Sequence, residues 1–367
     1  MEGGKLLATG SSGTCVFRPN IPCRGDSDKI TKNKISKIVY GKKAERHFNR
    51  EKKITDIVKR IKGYHKWCII YDKFCKPPTY DDIFKFDKDI IDCKDEYYSE
   101  LFDGSSKMLV GKYGGDTFED YFINNTLINR SLIPLERNIY ILLTKMKQLF
   151  IGLKEMYNHK LIHLDIKINN IILDGDYFKY IDFGLSSELK DLDHFESRSL
   201  SEFNTKRIYI WYPLEYLYAF IDKSEQVSEL FKFNTNANFR KHYEKGIDIY
   251  DIFDLNINNH IKELLNKDNK HTSKNHKELV SMIDTYSLGI IIPFFFVEYD
   301  LIKYIDKSPF FDDLIKLFKS MCKIDHKQRM MPNDCLKEYY KLIKKYSYLN
   351  DKDKKDKKGK KTKRKLK

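Results

Sequence analysis

At 367 residues with 41% hydrophobic content, the chain is long enough to bury a sizeable core and fits a soluble globular protein of two lobes or domains. Seven cysteines, an odd number with no C-x-x-C pair, argue against a disulfide framework or a recognisable zinc site and favour a reducing compartment. The formal charge of +15 invites a nucleic-acid reading, but residues 351–367 hold eleven Lys or Arg against three Asp and so supply +8 of it, leaving dispersed lysine that reads as solvated surface.

Met1 to Gly10 carries no apolar signal region. Lys5 to Phe17, KLLATGSSGTCVF, reads as strand, glycine turn and strand. Gly10 and Gly13 there let backbone amides approach phosphate oxygens, although an ordinary hairpin turn has the same pattern. Pro19 to Asn33 reads as a loop and Ile35 to Val39 as a strand carrying Lys37, with Lys32 and Lys34 as rival cations.

From Ala44 to about Lys62 the pattern is helical, with Ile54, Ile57, Val58 and Ile61 on one stripe. At about 100° per residue, Glu51 falls roughly 70° from the stripe's centre and Glu45 roughly 190°. Glu51 can therefore face inward, Glu45 cannot, and Glu51 is the candidate partner for Lys37. Tyr64 to Ser106 has one apolar run, Trp67 to Tyr71, and about 76–105 reads as an insertion whose role is not legible. Lys107 to Val110 is a short buried strand, followed by the link Gly111-Lys112-Tyr113-Gly114-Gly115-Asp116. Pro134 opens a long amphipathic helix to about His159, with Ile139, Leu142, Leu143, Met146, Leu149, Phe150, Leu153 and Met156 on its apolar face.

The helix delivers the chain into HLDIKINNIILDGDYFKYIDFG, His163 to Gly184. Asp165, Lys167 and Asn170 lie on a loop, Ile171 to Leu173 is a strand, Asp174 to Asp176 a turn, and Tyr177 to Ile181 returns to Asp182. A hairpin of this kind brings Asp165, Asn170 and Asp182 together at one end. Acceptors converging beside a lysine suit phosphoryl transfer, where oxygen ligands hold magnesium and a carboxylate orients the attacking hydroxyl.

Leu185 to Tyr212, rich in Ser and Asp, leads to Trp211-Tyr212-Pro213-Leu214-Glu215. About 220–280 is a second, lysine-rich insertion with an amphipathic stretch around Ile261 to Leu265. Asp284 to Gly289 starts a helix. Leu288 to Val297, the most hydrophobic run, is too short for a membrane span, contains Pro293 and reads as buried core. Phe310 to Met321 and Pro332 to Tyr348 are closing helices, and the lysine-rich tail beyond Asn350 cannot build a core.

H-L-D-I-K-I-N-N followed by D-F-G resembles the catalytic and metal-binding loops of eukaryotic-type protein kinases, whose pattern is H-R-D-x-K-x-x-N and D-F-G. The resemblance implies an α+β bilobal fold: a small β-rich N-lobe over 1–110, a hinge and mainly helical C-lobe over 111–349, and a basic tail over 350–367. It implies ATP with Mg²⁺ or Mn²⁺ as cofactors and a protein substrate as partner. Gly10, Gly13 and Val16 would form the glycine-rich loop. Lys37, held by Glu51, would bind phosphates. Lys112 and Tyr113 would lie on the hinge beside adenine, with Asp116 at the ribose and Gly111 opening a pocket behind the base. Asp165 would orient the substrate hydroxyl, Lys167 would stabilise the transferred group, and Asn170 and Asp182 would ligate the metal.

In the same family Glu215 would pair with Arg329, and Asp284 would anchor the catalytic-loop backbone. Lysine two residues after Asp165 is usual in serine/threonine kinases, which makes Ser/Thr the expected acceptor. Leu164 replaces the arginine that reads a phosphorylated activation segment, so activity is expected without phosphorylation of Ser197, Ser199, Ser201 or Thr205, with Lys206 or Arg207 as local substitutes. The C-V-F-x-P stretch, the H-L-D-I-K loop and the long insertions are similar in style to kinases of large DNA viruses of protists, which implies the cytoplasm or nucleus of a host cell, or the virion. No membrane contact is expected, and nucleic acid or another polyanion would be met only through 351–367. A pseudokinase scaffold, an aminoglycoside- or choline-type kinase and a nucleic-acid-binding protein are the rival classes.

Overall fold

Alternation builds the N-terminal sheet: in Thr14–Arg18, Cys15 and Phe17 are fully buried while Val16 and Arg18, which alternate with them, are only partly covered. The computed structural model describes residues 5–10, 14–26, 30–41, 44–79, 105–204, 209–220, 273–323 and 325–350. Gly13, Lys206, Arg207, most of both insertions and the basic tail lie outside them. The chain divides into two units, one of residues 1–116, 172–175 and 179–186, the other of 117–171, 176–178 and 187–367.

Among the described residues, the first unit is a five-stranded antiparallel sheet with one long helix. Strands β1 (Lys5–Gly10), β2 (Thr14–Arg18), β3 (Lys34–Val39), β4 (Tyr71–Cys75) and β5 (Lys107–Lys112) are ordered β1-β2-β3-β5-β4. Cys15, Phe17, Ile38, Met108 and Val110 form the apolar cluster on one face. Helix α1 (Ala44–Lys59) buries Glu51, Ile54, Thr55 and Val58. It ends a few residues before the expected Lys62, and Thr55, not Ile57, completes its buried stripe. Glu45 lies outward, as its phase requires, and pairs with Lys107 at 2.8 Å.

A disulfide joins Cys23 to Cys75, with Cα atoms 5.9 Å apart. The sequence reading expected no disulfide; spacing could not show that the loop after β2 runs beside the end of β4, where the Arg24 amide donates to the Lys76 carbonyl at 3.0 Å. Cys15, Cys68, Cys322 and Cys335 are buried thiols.

The second unit is helical. Helices α2 (Phe118–Tyr121), α3 (Leu132–Lys145) and α4 (Lys147–Asn158) lead to strand β6 (Leu161–Ile162). The expected single helix is two, because the chain tightens at Met146, whose amide donates to both Leu142 and Leu143. Its predicted apolar face is buried throughout, with Phe150 stacked on Tyr339 at 4.4 Å. A hairpin, β7 (Ile171–Asp174) and β8 (Tyr177–Tyr180), follows the catalytic-type loop, and β9 (Ser187–Glu188) pairs with β6.

Beyond β9 come α5 (Leu192–Asn204), α6 (Leu214–Tyr218), α7 (Ser273–Ser281), α8 (Ile283–Gly289), α9 (Ile291–Glu298), α10 (Pro309–Met321) and α11 (Pro332–Lys345). The break between α8 and α9 at Ile290 precedes Pro293, whose missing N–H and ring disfavour a continuous ladder. Asn275–Glu298 is long and apolar enough to cross a membrane by length and composition, yet 83% of its most apolar window is buried inside the protein. Phe295 explains that burial: it stacks on Phe122 at 4.1 Å and lies 5.6 Å from Phe118. Ser273–Val280, at the end of the expected second insertion, is helical, and its Leu279 and Val280 are buried.

Candidate active site

In the first unit the side chains meet at Lys37. Its strand position puts it opposite Val16 in the β2–β3 register and Leu109 in the β3–β5 register. The ammonium lies 3.3 Å from Glu51 Oε2 and 2.8 Å from Asp182 Oδ1. Lys37 is 6% exposed and Glu51 3%, so this ion pair is desolvated. Burial pulls the lysine's pKa down, but Asp182 and then Glu51 outweigh it and hold the ammonium well above the ordinary lysine value. Burial pushes the Glu51 carboxyl up to about 7, against the pull of Lys37. Among the described residues, Glu51 Oε1 has no hydrogen-bond partner although buried, which agrees with that direction.

Asp182 holds this place through an unusual backbone, φ 61° and ψ 76°, in the left-handed region that aspartate tolerates better than most residues. Its Oδ1 also accepts the Gly184 amide at 3.3 Å. A Cβ on Gly184 would lie 3.2 Å from Asp182 Oδ1 and 3.5 Å from Glu51 Oε2, so the bare glycine is what lets the turn approach the cluster.

Along the link after β5, Lys112 pairs with Asp174 at 2.6 Å. Tyr113 gives its amide to Asn33 at 2.8 Å and its ring to the Arg18 guanidinium, 3.5 Å from the centroid. The Asp116 side chain is exposed and its carbonyl accepts the Leu173 amide at 2.9 Å. The expected open pocket at Gly111 is overturned: a Cβ there would lie 3.0 Å from the Tyr71 ring and 3.2 Å from Tyr71 Cα. Tyr71, brought alongside by β4–β5 pairing, fills that space.

In the second unit the loop from His163 to Asn170 is held from beneath by Asp284. Its two oxygens accept the His163 amide at 2.6 Å and the Leu164 amide at 3.0 Å. Leu164 is fully buried with φ 61°, and its carbonyl accepts the Tyr212 hydroxyl at 2.6 Å. Asp165 Oδ2 accepts Lys167 Nζ at 3.0 Å and Asn170 Nδ2 at 2.7 Å; the same amide nitrogen donates to the Asp165 carbonyl at 2.9 Å. Asp165 Oδ1 accepts the Tyr209 hydroxyl at 3.0 Å.

Sequence reasoning missed Tyr209 and Arg198. Arg198, on α5, donates to the Tyr212 hydroxyl at 3.4 Å and pairs with Glu202. No motif marks either residue; Tyr209 reaches Asp165 directly, and Arg198 reaches the catalytic-type loop through Tyr212. Ser199 is fully buried, its hydroxyl donating to the Tyr216 carbonyl at 2.8 Å. Glu215 and Arg329, 114 positions apart, form a buried ion pair, and Arg329 also donates to the carbonyls of Met282 and Lys323 at 3.0 and 2.9 Å.

Two sets of groups result: Lys37, Glu51 and Asp182 in the first unit, Asp165, Lys167 and Asn170 in the second. Their donors suit a hard cation and phosphate. Asn170 spends its amide nitrogen within the loop, leaving a carbonyl oxygen as the ligand atom, and Asp182 has a side chain 38% exposed. Among the described residues, no group of three or more His, Cys, Asp or Glu could hold a metal alone. Each set by itself offers few oxygen ligands, the sparse protein ligation that Mg²⁺ accepts when nucleotide phosphates and water complete its shell.

A β-rich N-terminal unit with a buried lysine–acid pair, and a helical unit with an acid–lysine–asparagine loop, define a kinase-like α+β fold. The protein kinase domain family model matches residues 109–210, a stretch that contains Asp165, Lys167, Asn170 and Asp182. That match supports the protein kinase superfamily, and with it phosphotransfer using ATP, a divalent metal and a protein substrate in general terms. A search of the curated proteins finds no match.

Proposed function

We propose that the protein is an active, ATP-dependent protein kinase that phosphorylates serine or threonine hydroxyls of protein substrates. The observation that carries this reading is the Asp165 carboxylate, held by Lys167 and Asn170 on a loop whose backbone is fixed by Asp284. A carboxylate fixed in this way can orient an incoming hydroxyl and take its proton.

Bound Mg²⁺–ATP supplies the γ-phosphoryl group and neutralises its charge. Lys37, kept charged beside Asp182 and Glu51, binds phosphate oxygens. Asp182 and, through its carbonyl oxygen, Asn170 would be the metal ligands that the kinase resemblance implies. Lys167 lies 3.0 Å from the base and stabilises charge on the transferred group. Gly10 and Val16 cover the phosphates, and Lys112, Tyr113 and Asp116 line the adenosine. Lys167 two positions after Asp165 supports Ser/Thr acceptors. A polyanion partner, if the protein has one, is bound by 351–367, which carry +8.

The test is transfer from labelled ATP, with magnesium, to a generic basic protein by the full chain, Asp165→Asn and Asp182→Asn. The wild type incorporates label, and Asp165→Asn is slower by roughly 10²- to 10⁴-fold. Equal incorporation by all three overturns the assignment. Label found only on small molecules would instead favour an aminoglycoside- or choline-type kinase.

A further inference from the structure

Asp165 is contacted from two directions by groups of different kinds. Lys167 and Asn170, both within its own loop, use Oδ2. Tyr209, forty-four residues on, places a hydroxyl 3.0 Å from Oδ1. An O–H donating to this carboxylate at that distance is the arrangement a substrate hydroxyl needs before it surrenders its proton.

We propose that Tyr209 is a built-in competitor for the acceptor's place, so that a substrate hydroxyl binds only as the Tyr209 hydroxyl leaves Asp165. The inference rests on the kinase reading above. Burial and then the Asp165 carboxylate raise the phenol's pKa, so it stays protonated and remains a donor. Its ring leans edge-on against Tyr212 at 4.8 Å, while Tyr209 itself is only partly buried. Tyr212, by contrast, is fully buried and tied to the Leu164 carbonyl. Tyr212 is therefore the fixed post and Tyr209 the more exposed of the two. A competitor on the same chain acts at high effective concentration and lowers the affinity of every acceptor by the same factor.

The experiment measures steady-state transfer to a basic protein by the wild type and Tyr209→Phe, which keeps the ring and removes the hydroxyl. Competition predicts that KM for the protein acceptor falls by about tenfold, on the scale of a hydrogen bond to a charged group. KM for ATP stays put, and kcat does not fall. A lower kcat in the variant, or an unchanged acceptor KM, overturns the proposal, because Tyr209 would then only position Asp165 or pack beside it.

Wild-type protein gives a second measurement that needs no variant. Saturating acceptor peptide should increase nitration of Tyr209 by tetranitromethane, and unchanged nitration overturns the competition. Transfer that proceeds with no Tyr209 effect sinks this inference alone. Absence of any transfer, with Asp165→Asn indistinguishable from wild type, sinks the kinase reading and this inference with it.

Discussion

The Lys37 ammonium lies closer to Asp182, at 2.8 Å, than to its helical partner Glu51, at 3.3 Å. Glu51 has one oxygen without a partner among the described residues, and burial pushes its carboxyl up to about 7. Without nucleotide, this has a signed effect on stability. Between about 4.5 and about 7 the folded protein keeps a proton that the unfolded chain has released. The contribution is complete below about 4.5 and is lost as pH rises through about 7. Urea midpoints at pH 5 and pH 8 should show the wild type losing stability relative to Glu51→Gln, by on the order of 3 kcal/mol at most. Parallel pH dependence of the two proteins would rule the linkage out.

Arg329 neutralises a Glu215 carboxylate that is 5% exposed and whose second oxygen has no partner among the described residues. Arg329→Leu strands that acid in the core, and equilibrium denaturation should show a loss of about 3–5 kcal/mol. A loss below about 1 kcal/mol would mean the pair is not buried as described.

Gly114 and Gly115 make the closest approach between the link and β7. A Cβ on Gly114 would meet Ile172 Cδ1 at 1.7 Å, whereas one on Gly115 would meet the Leu173 carbonyl oxygen at 2.3 Å. A side-chain tip can rotate away; a backbone oxygen tied to its neighbours cannot. Gly115→Ala should therefore cost about 2–3 kcal/mol and Gly114→Ala about 1 kcal/mol or less, read from thermal midpoints. The reverse ranking would contradict the packing.

Leu164 sits where kinases regulated through the activation segment keep an arginine, and its carbonyl is tied to Tyr212, itself reached by Arg198. Ser199 is buried and bonded to the Tyr216 carbonyl, out of reach of a modifying enzyme. Phosphatase treatment should leave transfer activity unchanged, and a large loss would refute a phosphorylation-independent loop. Tyr212→Phe, which strips the buried Leu164 carbonyl of its donor, should destabilise the protein by about 1–3 kcal/mol.

Tyr71 fills the space beside Gly111. ATP-competitive inhibitors with bulky substituents should gain nothing on the wild type and should gain affinity on Tyr71→Ala. Tighter binding of bulky analogues to the wild type would show that the ring moves aside.

Periodicity and spacing determined a good deal here. The phase of α1 alone placed Glu51 inward and Glu45 outward, and the apolar face of 134–159 is buried as read. The grouping of Asp165, Lys167 and Asn170 was likewise legible, because their contacts form within a few residues of chain, whereas Asp182 meets Lys37 from 145 positions away. What only the tertiary structure decided is who occupies the space between distant segments. Tyr71 against Gly111, Cys23 against Cys75, Arg198 against Tyr212 and Tyr209 against Asp165 all join segments whose separation carries no periodic signal. Each depends on strand register or helix packing that sets distances in three dimensions, and a side chain's partner there follows from shape and unmet hydrogen bonds, which a one-dimensional pattern does not encode.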